Sequence, residues 1–384
     1  MSADRIRGTT AIVGVGVAGL GEAPGRTAIE IQAEAVHHAL AEAGLKPSDV
    51  DGLLSVSAYT TSPTLQMAEY MGIRPKFSDT NRIGGASFVS HLLPAALALE
   101  AGLCNVALIC YGSNQRTAYG KLKSMSELGP HESPYKPRYP IAAYALAAAR
   151  HMHEYGTTRA QLAEVAVAAR RWAQMNPEAF ERDPLTVEQV LAARMVCDPL
   201  SVRDCCLVTD GGGAVVMVRA DRARDFPKPP AYLLGVASAH WHLQISAMPD
   251  LTVSAAAESG PRAFAMAGLA PKDVDVIELY DAFTINTVMF LEDLGFCAKG
   301  EGGAFVSGGR IAPGGALPVN TNGGGLSCCH PGMYGIFTII EAVRQLRGQC
   351  GPRQVPDAAI ALCHGSGGLL SSQVTALLGR GDVL

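Results

Sequence analysis

Three segments in the C-terminal part of the chain carry histidine, tyrosine or cysteine, and two of them place these residues beside glycine or proline. They are Tyr280-Asp281-Ala282-Phe283, His330-Pro331-Gly332-Met333-Tyr334 and Cys363-His364-Gly365-Ser366. These three side-chain types can take up or return a proton during a reaction. His330 precedes a proline at an expected helix start, where the helix dipole lowers its pKa, so we expect a neutral ring that donates a hydrogen bond or acts as a base. A lone histidine is more often structural, but three such loops favour a catalytic site.

Two glycine-rich segments stand before expected helices. Gly84-Gly85-Ala86-Ser87 precedes a helix predicted over 89–101, and Gly323-Gly324-Gly325 precedes one predicted over 335–347. If two similar halves pack about a pseudo-twofold axis, the two helix N-termini converge. Their free N–H groups and positive dipole ends would then stabilise an enolate or an oxyanion.

An internal duplication supports two similar halves. Residues 39–54 and 263–278 agree at nine of sixteen positions, at an offset of 224. Each copy reads as the end of an alanine-rich helix, a glycine stop, a proline turn and an apolar strand. A second echo pairs 106–113 with 359–366. The chain is therefore predicted to be an α/β protein that uses one module twice.

The expected organisation has two halves and an insertion. Residues 1–113 and 201–245 are assigned to the N-terminal half, and 246–384 to the C-terminal half. Residues 114–200 break the repeat with a proline-rich start and two predicted helices, over 142–155 and 159–176. This insertion is interpreted as a lid over the site, although a purely structural cover fits the pattern equally well.

Composition excludes several function classes. A formal charge of −4 without runs of like charge gives no footprint for nucleic acid or an anionic membrane surface. No long apolar stretch and no leader-like start is present, which predicts a cytoplasmic protein. The ten cysteines stand mostly in apolar contexts without zinc spacing, so we expect reduced thiols and no metal. The Gly14-Val-Gly16-Val-Ala-Gly19 match to a dinucleotide motif is rejected, because no helix opens on its third glycine.

Over nearly its full length the chain resembles the thiolase family, especially the sterol-carrier-type thiolases and related lipid-transfer proteins. The Tyr280 segment is similar to the family's Asn-Glu-Ala-Phe loop. His330-Pro331 is similar to its Gly-His-Pro loop, and Cys363-His364-Gly365 to its Cys-x-Gly loop. The resemblance implies a duplicated thiolase fold, a five-layer α/β/α/β/α sandwich that is commonly a homodimer.

The chain also departs from that family. Gly85 stands where thiolases carry the nucleophilic cysteine, and neither Ser87 nor Ser90 has an evident base beside it. Tyr280 replaces the asparagine of the oxyanion loop, and Tyr334 follows His330 by one helical turn. This combination is similar to the thiolase-like aldolases of bacterial steroid side-chain breakdown. Those enzymes cleave a β-hydroxyacyl-CoA by a retro-aldol reaction and work with a small OB-fold acyl-CoA-binding partner.

A retro-aldol reaction needs a base, a stabilised enolate and an acid, and our hypothesis assigns these roles to residues of the three loops. Tyr280 or Tyr334 takes the hydroxyl proton, His330 and the helix N-terminus near Gly85 hold the enolate oxygen, and Cys363 or His364 returns a proton to carbon. A phenol has a pKa of about 10, so at least one tyrosine must be tuned downward. Substrate contacts are expected from six further positions. These are Gly85, Ser87, Asp281, Gly324, Gly325 and Gly365.

The same resemblance implies an acyl-CoA substrate with a bulky acyl group and no cofactor besides the CoA thioester. Two other functions stay open. One is a true thiolase whose nucleophile is Cys363, Cys328 or Cys329, and it would require free CoA. The other is a non-catalytic acyl-CoA or lipid-binding subunit, which would bind CoA esters without turnover.

Overall fold

The two copies of the sequence repeat fold alike in the computed structural model, which describes residues 6–120 and 128–384. In each copy a helix ends at a glycine with left-handed backbone, Gly44 or Gly268. A short turn follows over Pro47–Asp49 or Pro271–Asp273, and then a buried strand over Gly52–Ser55 or Val276–Leu279. The duplication predicted from the sequence is therefore confirmed in three dimensions.

The strands of the described chain are numbered in sequence order. They are β1 (Thr10–Gly21), β2 (Gly52–Ser55), β3 (Phe77–Asp79), β4 (Ala107–Ser113), β5 (Met195–Cys197), β6 (Leu200–Ser201), β7 (Asp210–Arg219), β8 (Ala231–His240), β9 (Val276–Leu279), β10 (Ile360–Gly367) and β11 (Ser372–Gly379). Within the described residues, β5 and β6 form a small hairpin and the other strands pair in the order β3-β2-β4-β7-β1-β8-β11-β10-β9. The two halves of that order meet through two residue pairs, Ala11–Tyr232 and Ile12–Ala231.

The helices are numbered in the same way. They are α1 (Ala28–Glu42), α2 (Pro63–Met71), α3 (Ser87–Ser90), α4 (Leu92–Glu100), α5 (Gln115–Tyr119), α6 (Ile141–Tyr155), α7 (Arg159–Gln174), α8 (Val187–Leu191), α9 (Ala256–Ala267), α10 (Thr284–Asp293), α11 (Gly302–Val306) and α12 (Gly335–Leu346). The helix predicted over 89–101 is thus divided at His91 into α3 and α4. No helix in the described ranges has the length and apolar character needed to cross a membrane.

The elements stack in layers. Helix α1 covers β1, β4 and β7 on one side of the molecule, and α9 covers β8 and β11 on the other. Helices α4 and α12 lie between, and each contacts strands of both half-sheets. In the described part of the chain this gives the order α/β/α/β/α, as expected for a duplicated five-layer sandwich.

Helix α12 lies in the central layer, and this position explains why most of its residues are apolar. Its residues are buried on almost every side, with only Arg344 partly exposed. A helix that is buried on nearly every side is an interior element, so its polar side chains need partners. Its buried Glu341 carboxylate is paired with the Arg353 guanidinium at 2.9 Å, which compensates the charge that the core would otherwise leave unpaired.

The glycines of the rejected dinucleotide motif have a packing role. Gly14 and Gly16 lie inside β1, and a β-carbon at either position would overlap the backbone of α1 at Ala39 or Ala35. Glycine here lets the helix and the strand approach closely. The motif therefore lies inside a strand, and its rejection as a dinucleotide-binding turn agrees with this position.

The predicted insertion packs on the C-terminal part of the chain. His151 on α6 contacts the carboxylate of Glu292 on α10 at 3.0 Å, and Trp172 on α7 donates to the backbone of Ile311 at 2.9 Å. Residues 121–127 of this segment lie outside the described residues, as do 1–5 of the N-terminal half. The division of the chain at 113, 200 and 245 stays a prediction. Strand β8, assigned to the N-terminal half, pairs along its length with β11.

Candidate active site

A cavity of about 640 Å³ opens between the halves and the insertion. The loop before α3 forms one wall, and the Tyr280 and His330 segments form the floor. The principal lining residues are Arg82, Ile83, Gly84, Gly85, Leu128, Gly129, Pro140, Tyr144, Cys206, His242, Leu243, Tyr280, Ala282, Phe283, His330, Gly332, Met333, Ser366, Gly368 and Leu369. A largely apolar cleft with a few polar groups is typical of a small-molecule site.

Gly85 and Tyr280 meet on the floor of this cavity. A β-carbon at position 85 would overlap the edge of the Tyr280 ring, lying 2.5 Å from Cζ and 2.7 Å from Oη. The backbone of Gly85 has an ordinary φ, so the conflict concerns space and not conformation. Tyr280 therefore occupies the volume that a nucleophilic side chain at position 85 would require.

The two expected helix N-termini do converge at this point. A β-carbon at Gly335, the first residue of α12, would overlap the carbonyl oxygen of Gly85. The next residue, Ala86, packs closely on Gly365 of β10. The prediction that two N-termini meet near the site is confirmed, with the qualification that α3 is one short turn.

Tyr280 and His330 form a hydrogen-bonded pair. The phenol oxygen of Tyr280 lies 2.9 Å from His330 Nε2, and it is also within 3.4 Å of the Gly332 carbonyl. The two rings stand nearly perpendicular, with centroids 5.5 Å apart. His330 Nδ1 is buried and has no hydrogen-bond partner among the described residues. Both side chains line the cavity, so a proton could pass between a ligand and His330 through Tyr280.

Burial controls the protonation of both groups. It lowers the pKa of His330 to about 4, so the ring is neutral near pH 7. A neutral His330 ring was predicted from the sequence, but the predicted cause was wrong. His330 lies before α12 and outside any helix start, and desolvation has the effect that we had assigned to a helix dipole. Burial also raises the pKa of Tyr280 well above 10, with a smaller opposing contribution from a hydrogen bond to the Tyr334 backbone.

Tyr334 is placed behind Tyr280. Its side chain is fully buried, does not line the cavity, and donates to Asn322 Oδ1 at 2.9 Å. The Tyr280 and Tyr334 rings contact edge to face with centroids 5.7 Å apart. Burial raises the pKa of Tyr334 well above 10 as well. Neither tyrosine shows the lowered pKa that we expected for a phenolate base.

Asp281, Gly324 and Gly325 form a support below the cavity. The Asp281 carboxylate accepts from the Gly325 backbone at 2.6 Å, and a β-carbon at Gly324 would overlap that carboxylate. Burial raises the pKa of Asp281 to about 7. Residues 324–328 form a single π-helical turn. None of these three residues lines the cavity. Their contacts with one another support the loops that form its floor.

Cys363 and His364 lie within β10, away from the cavity. The Cys363 thiol contacts the Thr338 carbonyl at 3.5 Å, and burial raises its pKa well above 9. Both ring nitrogens of His364 have partners, Thr375 and Gln373, each at 3.0 Å. The structure therefore does not bring these two side chains together with Tyr280 and His330.

Ser87 and Gly365 also face the interior. The Ser87 hydroxyl accepts from the Ile83 backbone at 3.0 Å and caps the turn that carries Gly85. A β-carbon at Gly365 would press on Ala86 and Val89 at 3.0 Å. Both residues hold the loop of Gly85 against the sheet. Of the six expected substrate-contact positions, Gly85 lines the cavity.

Several lining residues were not predicted from the sequence, among them a cysteine, a tyrosine and a histidine. Cys206 lies beside the Tyr280 loop, Tyr144 extends from α6, and His242 follows β8. The Tyr144 ring packs on Phe283 with centroids 4.4 Å apart, and its hydroxyl donates to the Gly368 carbonyl at 3.3 Å. His242 Nε2 lies 3.0 Å from the Leu369 carbonyl. No motif or hydrophobic periodicity around these three residues in the sequence marks them as part of a site.

The insertion contributes directly to the cavity. Leu128, Gly129, Pro140 and Tyr144 belong to it and form a mostly apolar wall opposite the floor. The insertion therefore forms part of the cavity, and its interpretation as a lid stays a prediction. Within the described residues, no group of three or more histidine, cysteine or acidic side chains is arranged to hold a metal ion.

Comparisons with known proteins identify the family of the chain. The family described as thiolase C-terminal domain-like matches residues 237–380. The chain is 35% identical to the steroid side-chain-cleaving aldolase of Thermomonospora curvata, over 89% of this chain and 91% of that protein. It is 35% identical to the 17-hydroxy-3-oxo-4-pregnene-20-carboxyl-CoA lyase of Mycobacterium tuberculosis, over 89% and 92%. The chain belongs to the thiolase superfamily.

Two further similarities define its place in that superfamily. An acetyl-CoA acetyltransferase of Methanothermobacter thermautotrophicus is 33% identical, over 93% of this chain and 96% of that protein. The solved structure named Ltp2-ChsH2(DUF35) aldolase superposes with a TM-score of 0.88 at 34% identity, covering 98% of each chain. The predicted thiolase fold and the prediction of a thiolase-superfamily enzyme close to the aldolases are confirmed.

Proposed function

We propose that this thiolase-superfamily enzyme cleaves a carbon–carbon bond of a bulky β-hydroxyacyl-CoA by a retro-aldol reaction, without an acyl-enzyme intermediate. The observation that carries this proposal is the contact between Gly85 and Tyr280. A thiolase needs a thiol at the position of Gly85, and here the space is filled by a phenol. A retro-aldol reaction needs a base and a stabilised enolate but no covalent nucleophile.

Tyr280 and His330 supply the base. Because the pKa of Tyr280 is well above 10, a free phenolate is a costly starting state. The 2.9 Å contact with neutral His330 supports a relay instead. Tyr280 takes the proton of the substrate hydroxyl while it passes its own proton to His330 Nε2. The β-carbon oxygen then becomes a carbonyl and the bond between the α- and β-carbons breaks.

The thioester oxygen lies at the loop before α3 in this proposal. The backbone of Gly85 lines the cavity beside the Tyr280 ring, and the N-termini of α3 and α12 meet there. Backbone N–H groups and the positive end of α12 favour the negative charge of the enolate. Tyr334, held by Asn322, positions the Tyr280 ring, and Asp281 positions the glycine turn behind it.

The cavity supports a bulky acyl group. A volume of about 640 Å³ exceeds what a short acyl chain would fill, and the aromatic pair Tyr144–Phe283 offers a flat apolar surface. The names of the similar aldolase and lyase refer to steroid compounds. A steroid or other polycyclic acyl-CoA is the proposed substrate class. The CoA thioester is the proposed source of the activated carbonyl, with no separate cofactor.

We further infer that the chain acts as part of a cytoplasmic assembly. The name of the similar solved structure joins Ltp2 to ChsH2 (DUF35). We also propose a homodimer and a small acyl-CoA-binding partner with an OB fold, both of which the family resemblance implies. Nucleic acid and membranes are not proposed partners.

The acyltransferase alternative keeps support from the similar acetyltransferase. The cysteines considered as its nucleophile, Cys328, Cys329 and Cys363, are buried and do not line the cavity. A thiol that a ligand cannot reach has no means of attack. The geometry therefore favours the lyase.

The test is a product analysis. The protein, alone and with its partner, is incubated with a polycyclic β-hydroxyacyl-CoA, and the products are identified by mass spectrometry. The proposal expects equal amounts of a carbonyl compound and a shortened acyl-CoA. Tight CoA-ester binding without any product would support the non-catalytic subunit instead.

A further inference from the structure

The retro-aldol reaction leaves one step without an assigned residue. Once the carbon–carbon bond has broken, the α-carbon of the thioester enolate must receive a proton. Cys363 and His364, expected for this step, lie in β10 outside the cavity, and both ring nitrogens of His364 have partners. The donor must be a group that a ligand in the cavity can reach.

Cys206 lines the cavity beside the Tyr280 loop. Its backbone N–H donates to the Ala282 carbonyl at 2.8 Å, and the preceding Cys205 forms a β-bridge with Phe283. Ala282 and Phe283 line the same cavity. These contacts hold Cys206 at a fixed place against the loop that carries the phenol, on an element far from Tyr280 in sequence.

The thiol of Cys206 is protonated at neutral pH. The side chain is half-buried at the cavity wall, and desolvation is the largest cause that raises its pKa well above 9. Such a thiol is a poor nucleophile, because the thiolate is the attacking form. It is still a far stronger acid than the α-carbon of a thioester, so transfer of its proton to an enolate is downhill.

Three other protic side chains that line the cavity are held by hydrogen bonds. The hydroxyl of Tyr144 donates to the Gly368 carbonyl, and His242 Nε2 contacts the Leu369 carbonyl. Tyr280 is engaged with His330.

We propose that Cys206 is the acid that protonates the α-carbon of the enolate. This role rests on the proposed retro-aldol function. The S–H bond of Cys206 breaks as the new C–H bond forms, leaving a thiolate, while His330 holds the proton taken from the substrate hydroxyl. One proton then leaves His330 and one returns to Cys206 through solvent. The substrate loses one O–H proton and the product gains one C–H, so the cycle balances.

The test uses Cys206→Ala and a β-hydroxyacyl-CoA that carries a 2-methyl group, cleaved in D₂O. Wild-type protein should place one deuterium on the propanoyl-CoA product with a single configuration. Cys206→Ala should cleave at least about 100-fold more slowly, because general acids contribute factors of that order. Its residual product should have mixed configuration, since solvent would protonate either face of the enolate. A purely structural role would lower the rate without mixing the configuration.

Cys205→Ala is the matched control, because Cys205 is the neighbouring thiol and does not line the cavity. It should keep the rate and the single configuration. If Cys206→Ala keeps both the wild-type rate and the configuration, the assignment of Cys206 is overturned while the aldolase stands. If the wild-type protein forms no carbonyl product from any β-hydroxyacyl-CoA, the proposed function itself is overturned.

Discussion

The phenol ring of Tyr280 lies against the backbone of Gly85 so closely that a β-carbon at position 85 would overlap it. The two residues belong to different halves of the duplicated fold and are 195 positions apart (280 − 85). The missing nucleophile at position 85 and the phenol at position 280 are therefore linked, because both side chains would need the same space. A cysteine restored at position 85 would find its space occupied.

This contact predicts an energetic coupling. Gly85→Ala should lower the free energy of unfolding by about 1–3 kcal/mol, because overpacking costs that much in a well-packed site. In a Tyr280→Ala background the same change should cost much less. The measurement is a double-mutant cycle by denaturant unfolding. Gly129→Ala is the control, since that glycine lines the same cavity and meets only the flexible Gln244 side chain, at 3.2 Å. Additive costs at 85 and 280 would show that the two residues do not compete for space.

The relay predicts the effect of removing one hydroxyl. Tyr280→Phe keeps the ring that packs on Gly85 and Tyr334 but removes the contact with His330. Its kcat should fall by a factor of about 10² to 10⁴, the range of general acid–base catalysis. Unfolding should change little. Tyr334→Phe is the companion variant. A larger loss of kcat there than in Tyr280→Phe would transfer the base role to Tyr334.

Buried histidine predicts a pH dependence of stability. The pKa of His364 is lowered to about 4 from its ordinary 6.5, because burial disfavours the charged ring. The contribution of neutral His364 to the free energy of unfolding is therefore complete above pH 6.5. It is lost as pH falls from 6.5 toward 4, because in this range the unfolded chain binds a proton at His364 and the folded chain does not. His364→Gln should remove this pH-dependent part of the free energy of unfolding, which is about 3 kcal/mol.

The measurement for His364 is the free energy of unfolding at several pH values between 4 and 7. The difference between His364→Gln and wild type should shrink as pH falls. His37→Gln is the control, because the His37 side chain is exposed in the fold. A constant difference across this range would contradict the prediction. Asp281, whose pKa is raised to about 7, acts in the opposite direction in both proteins and cancels in the comparison.

The aromatic wall predicts selectivity for large acyl groups. Tyr144→Ala removes the ring that packs on Phe283. The KM for a polycyclic β-hydroxyacyl-CoA should rise about 10- to 100-fold, because a lost aromatic contact is worth about 1.5–3 kcal/mol. The KM for 3-hydroxybutanoyl-CoA should stay within a factor of about three. Tyr135→Ala, at an exposed position, serves as control. Equal changes for both substrates would show that Tyr144 does not select the acyl group.

Much of the fold was predictable from sequence because the duplication is local and regular. The glycine stops, proline turns and strands recur at matching places, and each is decided by the residues around it. The pair Tyr280–His330 was also accessible, since each residue stands in a distinctive loop. The layer order followed from the resemblance and not from the pattern alone.

The site residues that the sequence did not predict correctly have a physical explanation. Strand β10 is buried on both faces, so no alternation in its sequence indicates which side chains point to a cavity. Cys363 and His364 could not be separated from cavity-lining residues for that reason. Cys206 and Tyr144 reach the site through tertiary packing, from a loop and from the insertion, and neither stands in a segment with its own chemical pattern. The cause of the neutrality of His330 likewise depends on burial, which only the assembled layers provide.

The most direct test of the central claim is the dependence of cleavage on free CoA. The protein, with its partner if it needs one, is given a polycyclic β-hydroxyacyl-CoA and, separately, the matching 3-ketoacyl-CoA, each at increasing concentrations of CoA. The account predicts that the β-hydroxyacyl-CoA is cleaved at a rate that added CoA does not increase, and that the 3-ketoacyl-CoA is not cleaved. Cleavage of the 3-ketoacyl-CoA only when CoA is present would contradict it and restore a thiolase that uses a cysteine.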